Sequence, residues 1–290
     1  MDLTNLAIAG EIAVNLAGAA ILCTLVFRQF VRKRRPATAL PDWNLPALDF
    51  LLFLVLAVLA AFFIELATDW GMRRSSADSD MRILIATAAQ DAGLLAGAAF
   101  FYAVVCKWRP RMPGRLGHAL LSGAATFAVS VPVINLVSLA WQAILGWLGV
   151  PVQKQDMVEL LLNTRSGPAL NLLIVLAVLV APVMEEVLFR ASIFRFLRTC
   201  LPRLAETLAA ESPDKRPWLG PRTARALALL LPAALFGAAH GSLSFFPSLL
   251  VLGVIFSLAY ERTGTIGTTI VAHALFNLNM IALVLAGVAS

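Results

Sequence analysis

Charge is what this sequence has least of. Only 14% of its 290 residues are Asp, Glu, Lys or Arg, against about 25% in soluble domains, while 60% are hydrophobic. That balance excludes an ordinary soluble fold and points to an all-α, polytopic membrane helix bundle. Cysteine is scarce too. Cys23, Cys106 and Cys200 lie far apart, with neither metal-ligand spacing nor a disulfide pattern, and read as small core residues. No basic n-region precedes the first apolar run, which is too long for a cleavable signal peptide and reads as a retained span. Fixed-period repeats and low-complexity tracts are absent. The net charge of +6 would suit nucleic acid, but the basic residues flank apolar runs, so membrane topology explains them and nucleic acid is not expected as a partner.

A helix needs about 20 apolar residues to cross a bilayer. Eight such runs are expected, at 5–27, 47–67, 83–106, 117–149, 168–190, 224–240, 246–260 and 266–288. The fourth is too long for one perpendicular span, and Pro132 is a place to kink it. Of the 23 lysines and arginines, 18 follow odd-numbered runs, in groups at 28–35, 107–115 and 190–225 and at Arg262; Arg73, Arg74, Arg82, Lys154 and Arg165 lie opposite. The basic side is expected to be cytoplasmic and both termini outside, in a bacterial inner membrane. Residues 1–167 read as a four-helix membrane region and 168–290 as a catalytic core. The polar insert 199–223, with Pro202, Pro213, Pro217 and Pro221, reads as a cytoplasmic loop holding at most a short amphipathic helix near 203–210.

Against this apolar background two adjacent carboxylates, Glu185 and Glu186, stand inside the fifth run. An ionised group there costs roughly 2.5–3.5 kcal/mol on insertion scales and marks a functional site by default. Glu186 and Arg190 are one helical turn apart and can pair, whereas Glu185 points about 100° away. A division of labour follows, with Glu186 held by Arg190 and Glu185 left to face a wet cavity. Glu11 and Asp91 also sit deep in early runs and are expected to bond within the bundle or line a cavity.

The histidines extend the pattern. His118 falls at an interface. Phe236 and His240 share one helix face, as do His273 and Asn277. Carboxylate, imidazole and carboxamide are the groups needed to activate and hold a water. Two chemistries stay open: water activated by Glu185 or Glu186 with no cofactor, or a zinc ion held by Glu185, His240 and His273 with an open fourth position. One geometric difficulty stands. An upright sixth helix starting at 224 would carry His240 about 24 Å from the cytoplasmic edge, so that helix must start outside the bilayer, tilt, or break at Gly241–Ser244 for the groups to meet.

Glu185-Glu186-x-x-x-Arg190, Phe236-x-x-x-His240 and His273-x-x-x-Asn277, in that order on consecutive spans, resemble the CPBP family. These intramembrane proteases include the CAAX prenyl endopeptidases and bacteriocin-processing or immunity proteins. Tyr260-Glu261-Arg262-Thr263-Gly264 and Ala272-His273 are similar to the same signature, and the resemblance spans residues 168–288. It implies about eight helices around a conical polar cavity opening to the cytosol, and hydrolysis of a peptide bond near the cytoplasmic face. Glu185 and Glu186 would activate water, with His240, His273 and Asn277 supporting the transition state and Arg190 and Phe236 supporting the site, with or without metal. The partners implied are a protein or peptide substrate, lipid-modified or membrane-anchored, and membrane lipids. A non-catalytic binding or immunity scaffold and a proton-coupled transporter are the competing readings.

Overall fold

In the computed structural model, residues 2–30, 38–76, 78–105, 116–153, 156–164, 166–211 and 218–288 are described. Among them there is no strand, and eight helices are long and apolar enough to span a membrane. The spans are α1 (Leu3–Phe30), α2 (Ala47–Met72), α3 (Ser79–Val105), α4 (Leu116–Trp147), α6 (Gly167–Glu211), α7 (Pro221–Ala239), α8 (Phe246–Thr263) and α9 (Ile266–Leu285); a short α5 (Asp156–Asn163) lies between α4 and α6. The protein is a multi-pass α-helical membrane protein. Its large exposed side chains, such as Leu16, Val55, Phe62, Leu121 and Leu139, are lipid-facing by the rule that a helix apolar all round belongs in a membrane.

Small residues set how closely the spans approach, as expected where lipid removes the hydrophobic drive for association. A Cβ on Gly93 would sit 2.3 Å from Ala61 Cα, and one on Gly97 2.6 Å from Ala57 Cα, so the α2–α3 pair packs backbone to backbone. On α4, Pro132 has no N–H for the carbonyl of Ala128, and Gly18 of α1 packs directly over that carbonyl, where a Cβ would come within 1.8 Å of the oxygen. The helix itself runs unbroken through Pro132.

α6 is the central rod, 45 residues long. Two stretches of it, Leu176–Val180 and Glu186–Phe194, are wound as π-helix, a feature that marks functional sites more often than chance. Its first half packs Leu173, Leu176 and Ala177 against Leu84, Leu161, Ile281 and Val284; further on, Val187, Leu188, Ile193 and Phe196 pack on Trp43, Phe50, Phe53 and Phe101.

The first half of the insert 199–223 is helix rather than loop; residues 212–217 lie outside the described residues. Helix α6 continues through it to Glu211, and the stretch near 203–210 is simply its end. The reason is burial: Ala205 packs with Leu219 and Ala224 at the start of α7, backed by Leu201, Leu208 and Leu227. Pro213, Pro217, Cys106 and the basic residues at 32–35, 107–115, 154, 165, 215 and 216 lie outside the described residues. Arg198 bonds Asp42 (3.1 Å), Glu261 (3.1 Å) and Thr38 (2.7 Å), Arg225 reaches Glu261 (3.5 Å), and Arg195 donates to the carbonyls of Pro41 and Asp42. These contacts make a charged belt across the last part of α6, the start of α7 and the end of α8, hereafter the arginine-rich end.

Gly93→Ala tests the packing. Alanine favours a helix interior over glycine by about 1 kcal/mol, but here its methyl would meet backbone, and overpacking costs about 1–3 kcal/mol. The melting temperature in detergent should fall, whereas Gly71→Ala, with nothing within 4 Å, should leave it unchanged or raise it.

Candidate active site

Glu186 is fully buried, 0% exposed, and Arg190 beside it is 1% exposed. Arg190 donates from Nη1 to Glu186 Oε1 at 2.8 Å, across the one-turn separation the spacing predicts. Glu186 Oε2 and Arg190 Nη2 find no partner among the described residues. Aromatic faces take up the rest of the guanidinium: its carbon lies 4.4 Å from the Phe236 ring centre and 5.3 Å from that of Phe256, a cation–π arrangement that is worth most when dry.

The same carboxylate oxygen holds His273. Its Nδ1 lies 2.9 Å from Glu186 Oε1. An ionised carboxylate only accepts, so Nδ1 carries the proton and Nε2 of the neutral ring presents its lone pair. That Nε2 lies 3.7 Å from Glu185 Oε2. The separation is too long for a direct hydrogen bond. Glu185 Oε2 has no hydrogen-bond partner of its own among the described residues.

His240 closes α7. Its Nδ1 lies 2.8 Å from the carbonyl of Phe236, one of the last carbonyls of the helix, which lack intrahelical donors. Nδ1 therefore donates and Nε2 is left over. Gly241, at φ +64°, then turns the chain into α8. Trp141 Nε1 donates to the Leu243 carbonyl (2.9 Å) and the Gln153 N–H to Ser244 Oγ (3.0 Å), which pins the turn. Counting 1.5 Å per residue, His240 stands about 22 Å along α7 from Arg225 and His273 about 10 Å along α9 from Ile266. Phe236 closes the difference, its ring centre 4.9 Å from His240 and 5.9 Å from His273.

Asn277 donates from Nδ2 to the Ala177 carbonyl at 2.8 Å. In this π-wound stretch the Ala181 N–H reaches back five residues to Leu176; the next donor in line for Ala177 would be Pro182, which has none. Asn277 fills that vacancy, so one of its two amide protons is already engaged.

Glu185, His240, His273 and Asn277 line one cavity of about 180 Å³ together with Phe236, Leu249, Leu252 and Phe276. Glu186 and Arg190 lie behind its wall. Among the described residues no three His, Cys, Asp or Glu side chains converge closely enough to hold a metal ion, so the Glu185–His240–His273 set does not fit zinc in this arrangement. Residues 167–279 match the family model for type II CAAX prenyl endopeptidase Rce1-like proteins.

This stretch is similar to the Rce1-like domain. A domain of this kind points to an intramembrane protease of the CAAX type acting on protein or peptide substrates in the membrane. No curated protein and no solved structure matches the chain.

Two carboxylates outside the matched stretch, Glu11 and Asp91, lie deep in the bundle, and Glu11 does what its depth predicts. Glu11 lines the same cavity and accepts from Asn15 (3.1 Å), Asn135 (3.0 Å) and Asn279 (3.0 Å), so one carboxylate ties α1 to α4 and α9. The three asparagines in apolar runs were the available signal. Asp91 is 5% exposed on α3 and near enough to Glu185 for the two charges to interact.

The lining of the cavity continues from the Glu185–His273 level toward Glu11, Asn135, Ser138, Leu283 and Val284, away from the arginine-rich end. On the arginine-rich side it is floored by Arg190, Phe236 and Phe256, with Leu40, Phe194 and Tyr260 buried in a further layer.

Removing Arg190 while leaving Glu186 should be expensive. Breaking a buried ion pair costs about 3–5 kcal/mol, so Arg190→Met should lower the detergent melting temperature strongly. The double variant Arg190→Met/Glu186→Gln should recover part of the loss, because no unpaired charge then remains.

Proposed function

We propose that the protein is an endopeptidase that hydrolyses a peptide bond inside the membrane with a water activated by Glu185. The observation that supports this reading is the placement of His273: its Nδ1 lies 2.9 Å from Glu186 Oε1, which turns Nε2 toward Glu185, 3.7 Å away, at the wall of the cavity that both line.

The water sits between the Glu185 carboxylate and His273 Nε2. As its oxygen attacks the scissile carbonyl carbon, Glu185 takes one of its protons, and the carbonyl oxygen becomes an oxyanion. Collapse of the tetrahedral intermediate breaks the C–N bond, and the proton held by Glu185 passes to the leaving nitrogen. His240 Nε2, when protonated, and the second amide proton of Asn277 donate to the oxyanion. Glu186 and Arg190 do not touch the substrate; they hold His273. Phe236 packs between the two imidazoles and over Arg190, which keeps the site dry.

Purified protein offered a library of tail and membrane-anchor peptides tests the reading. Glu185→Gln and His240→Ala should each lose about 10²–10⁴-fold in cleavage rate, the usual worth of a positioned acid–base group, at unchanged melting temperature. A chelator should leave the wild-type rate as it was. Cleavage undiminished in Glu185→Gln would refute the mechanism, and a chelator-sensitive rate would transfer water activation to a metal.

A further inference from the structure

The side of the membrane from which the site is reached follows from three independent features: where the basic residues lie, where the cavity floor lies and which helix ends line its mouth. At the arginine-rich end, the described Arg28, Arg225 and Arg262 sit near the end of α1, the start of α7 and the end of α8, and Arg195, Arg198 and Arg203 in the last part of α6. Positive charge marks the cytoplasmic side of a membrane protein. Among the described residues, the hollow on that side does not reach Glu185. Arg190, Phe236 and Phe256 are each at most 1% exposed, and beneath them Phe194 and Tyr260 close a second layer.

There is a hollow at the arginine-rich end, of about 580 Å³, bounded by Asp42, Trp43, Tyr102, Val187, Arg195 and Tyr260. It shares no lining residue with the cavity that holds Glu185 and His273. The helix rod carrying Glu186 and Arg190 separates the two.

The Glu185 cavity continues the other way. Asn135 and Ser138 stand about 30 Å along α4 from Leu116, Leu283 about 25 Å along α9 from Ile266, and Val158 and Leu161 belong to α5, which follows the far end of α4. All line the cavity, and all lie far from the belt.

Resting on the protease reading above, we propose that the substrate enters from the face opposite the arginines, the extracytoplasmic side. The substrate class is then the tail or membrane anchor of a protein already exported to, or displayed on, that side. Its apolar residues would contact Val131, Ile134, Leu252 and Phe276, and its backbone would be presented to Glu185 at mid-membrane. A tail that never leaves the cytosol would meet the floor instead.

Thiol accessibility decides this without any need for cleavage. In a chain whose Cys23, Cys106 and Cys200 are replaced by serine, single variants Ser138→Cys, near the mouth, and Phe276→Cys, near the floor, are made. Each is treated with a charged, membrane-impermeant methanethiosulfonate in right-side-out and in inverted membrane vesicles. Gln153→Cys and Glu211→Cys report the two faces. Both cavity thiols should be modified in the same vesicles as Gln153→Cys and protected in those where Glu211→Cys reacts. Modification in step with Glu211→Cys would overturn the proposal, as would protection of both cavity thiols from both sides. If instead Gln153→Cys itself reacts only in inverted vesicles, the topology is reversed and the assignment of side falls. In each of these cases the cleavage assay with Glu185→Gln stands or falls separately.

Discussion

One carboxylate oxygen organises this protein. Glu186 Oε1 receives Arg190 at 2.8 Å and His273 at 2.9 Å at a point where neither water nor lipid headgroup reaches. Ionised groups are costly at such depth, so the arrangement persists only because each member supplies what the others lack. Arginine pairs with the Glu186 carboxylate, that carboxylate holds His273 by Nδ1, and the aromatic faces of Phe236 and Phe256 shield the cation. This set is expected to be rigid and unforgiving, since a half-satisfied buried network is worse than none.

The rest of the bundle serves that point. The π-wound stretches of α6 displace the helix phase where Glu186, Arg190 and Ala177 lie. Pro182 removes a donor, and Asn277 from α9 supplies it, which ties the two site-bearing helices together at the level of the cavity. Glycine and alanine contacts bring α2 to α3 and α1 to α4 closely enough that Glu11 can join Asn135 and Asn279 across the cavity. The N-terminal helices therefore wall the chamber as well as anchoring the chain.

Architecture was largely legible beforehand because membrane spans are written in composition, and composition needs no neighbours. Helix ends were less so: α6 runs on to Glu211 since Ala205 finds Leu219 and Ala224, a partnership a hydropathy window cannot see. The roles within the motif divide in the same way. Spacing paired Glu186 with Arg190, and helical period set Glu185 on another face. That Glu186 serves His273 as well, and that Asp91 stands near Glu185, depends on which helices touch.

The sequence alone determined a multi-span α-helical protein, the location of its polar doublet and the order of its histidines, because hydrophobic run length and one-turn spacing are local properties. Tertiary structure alone decided that His240 and His273 share a chamber, that Asn277 is partly committed to a backbone carbonyl and that the chamber is floored toward the arginines. The reason is physical: direction of access is a property of the void between helices, and a void belongs to no single segment of the chain.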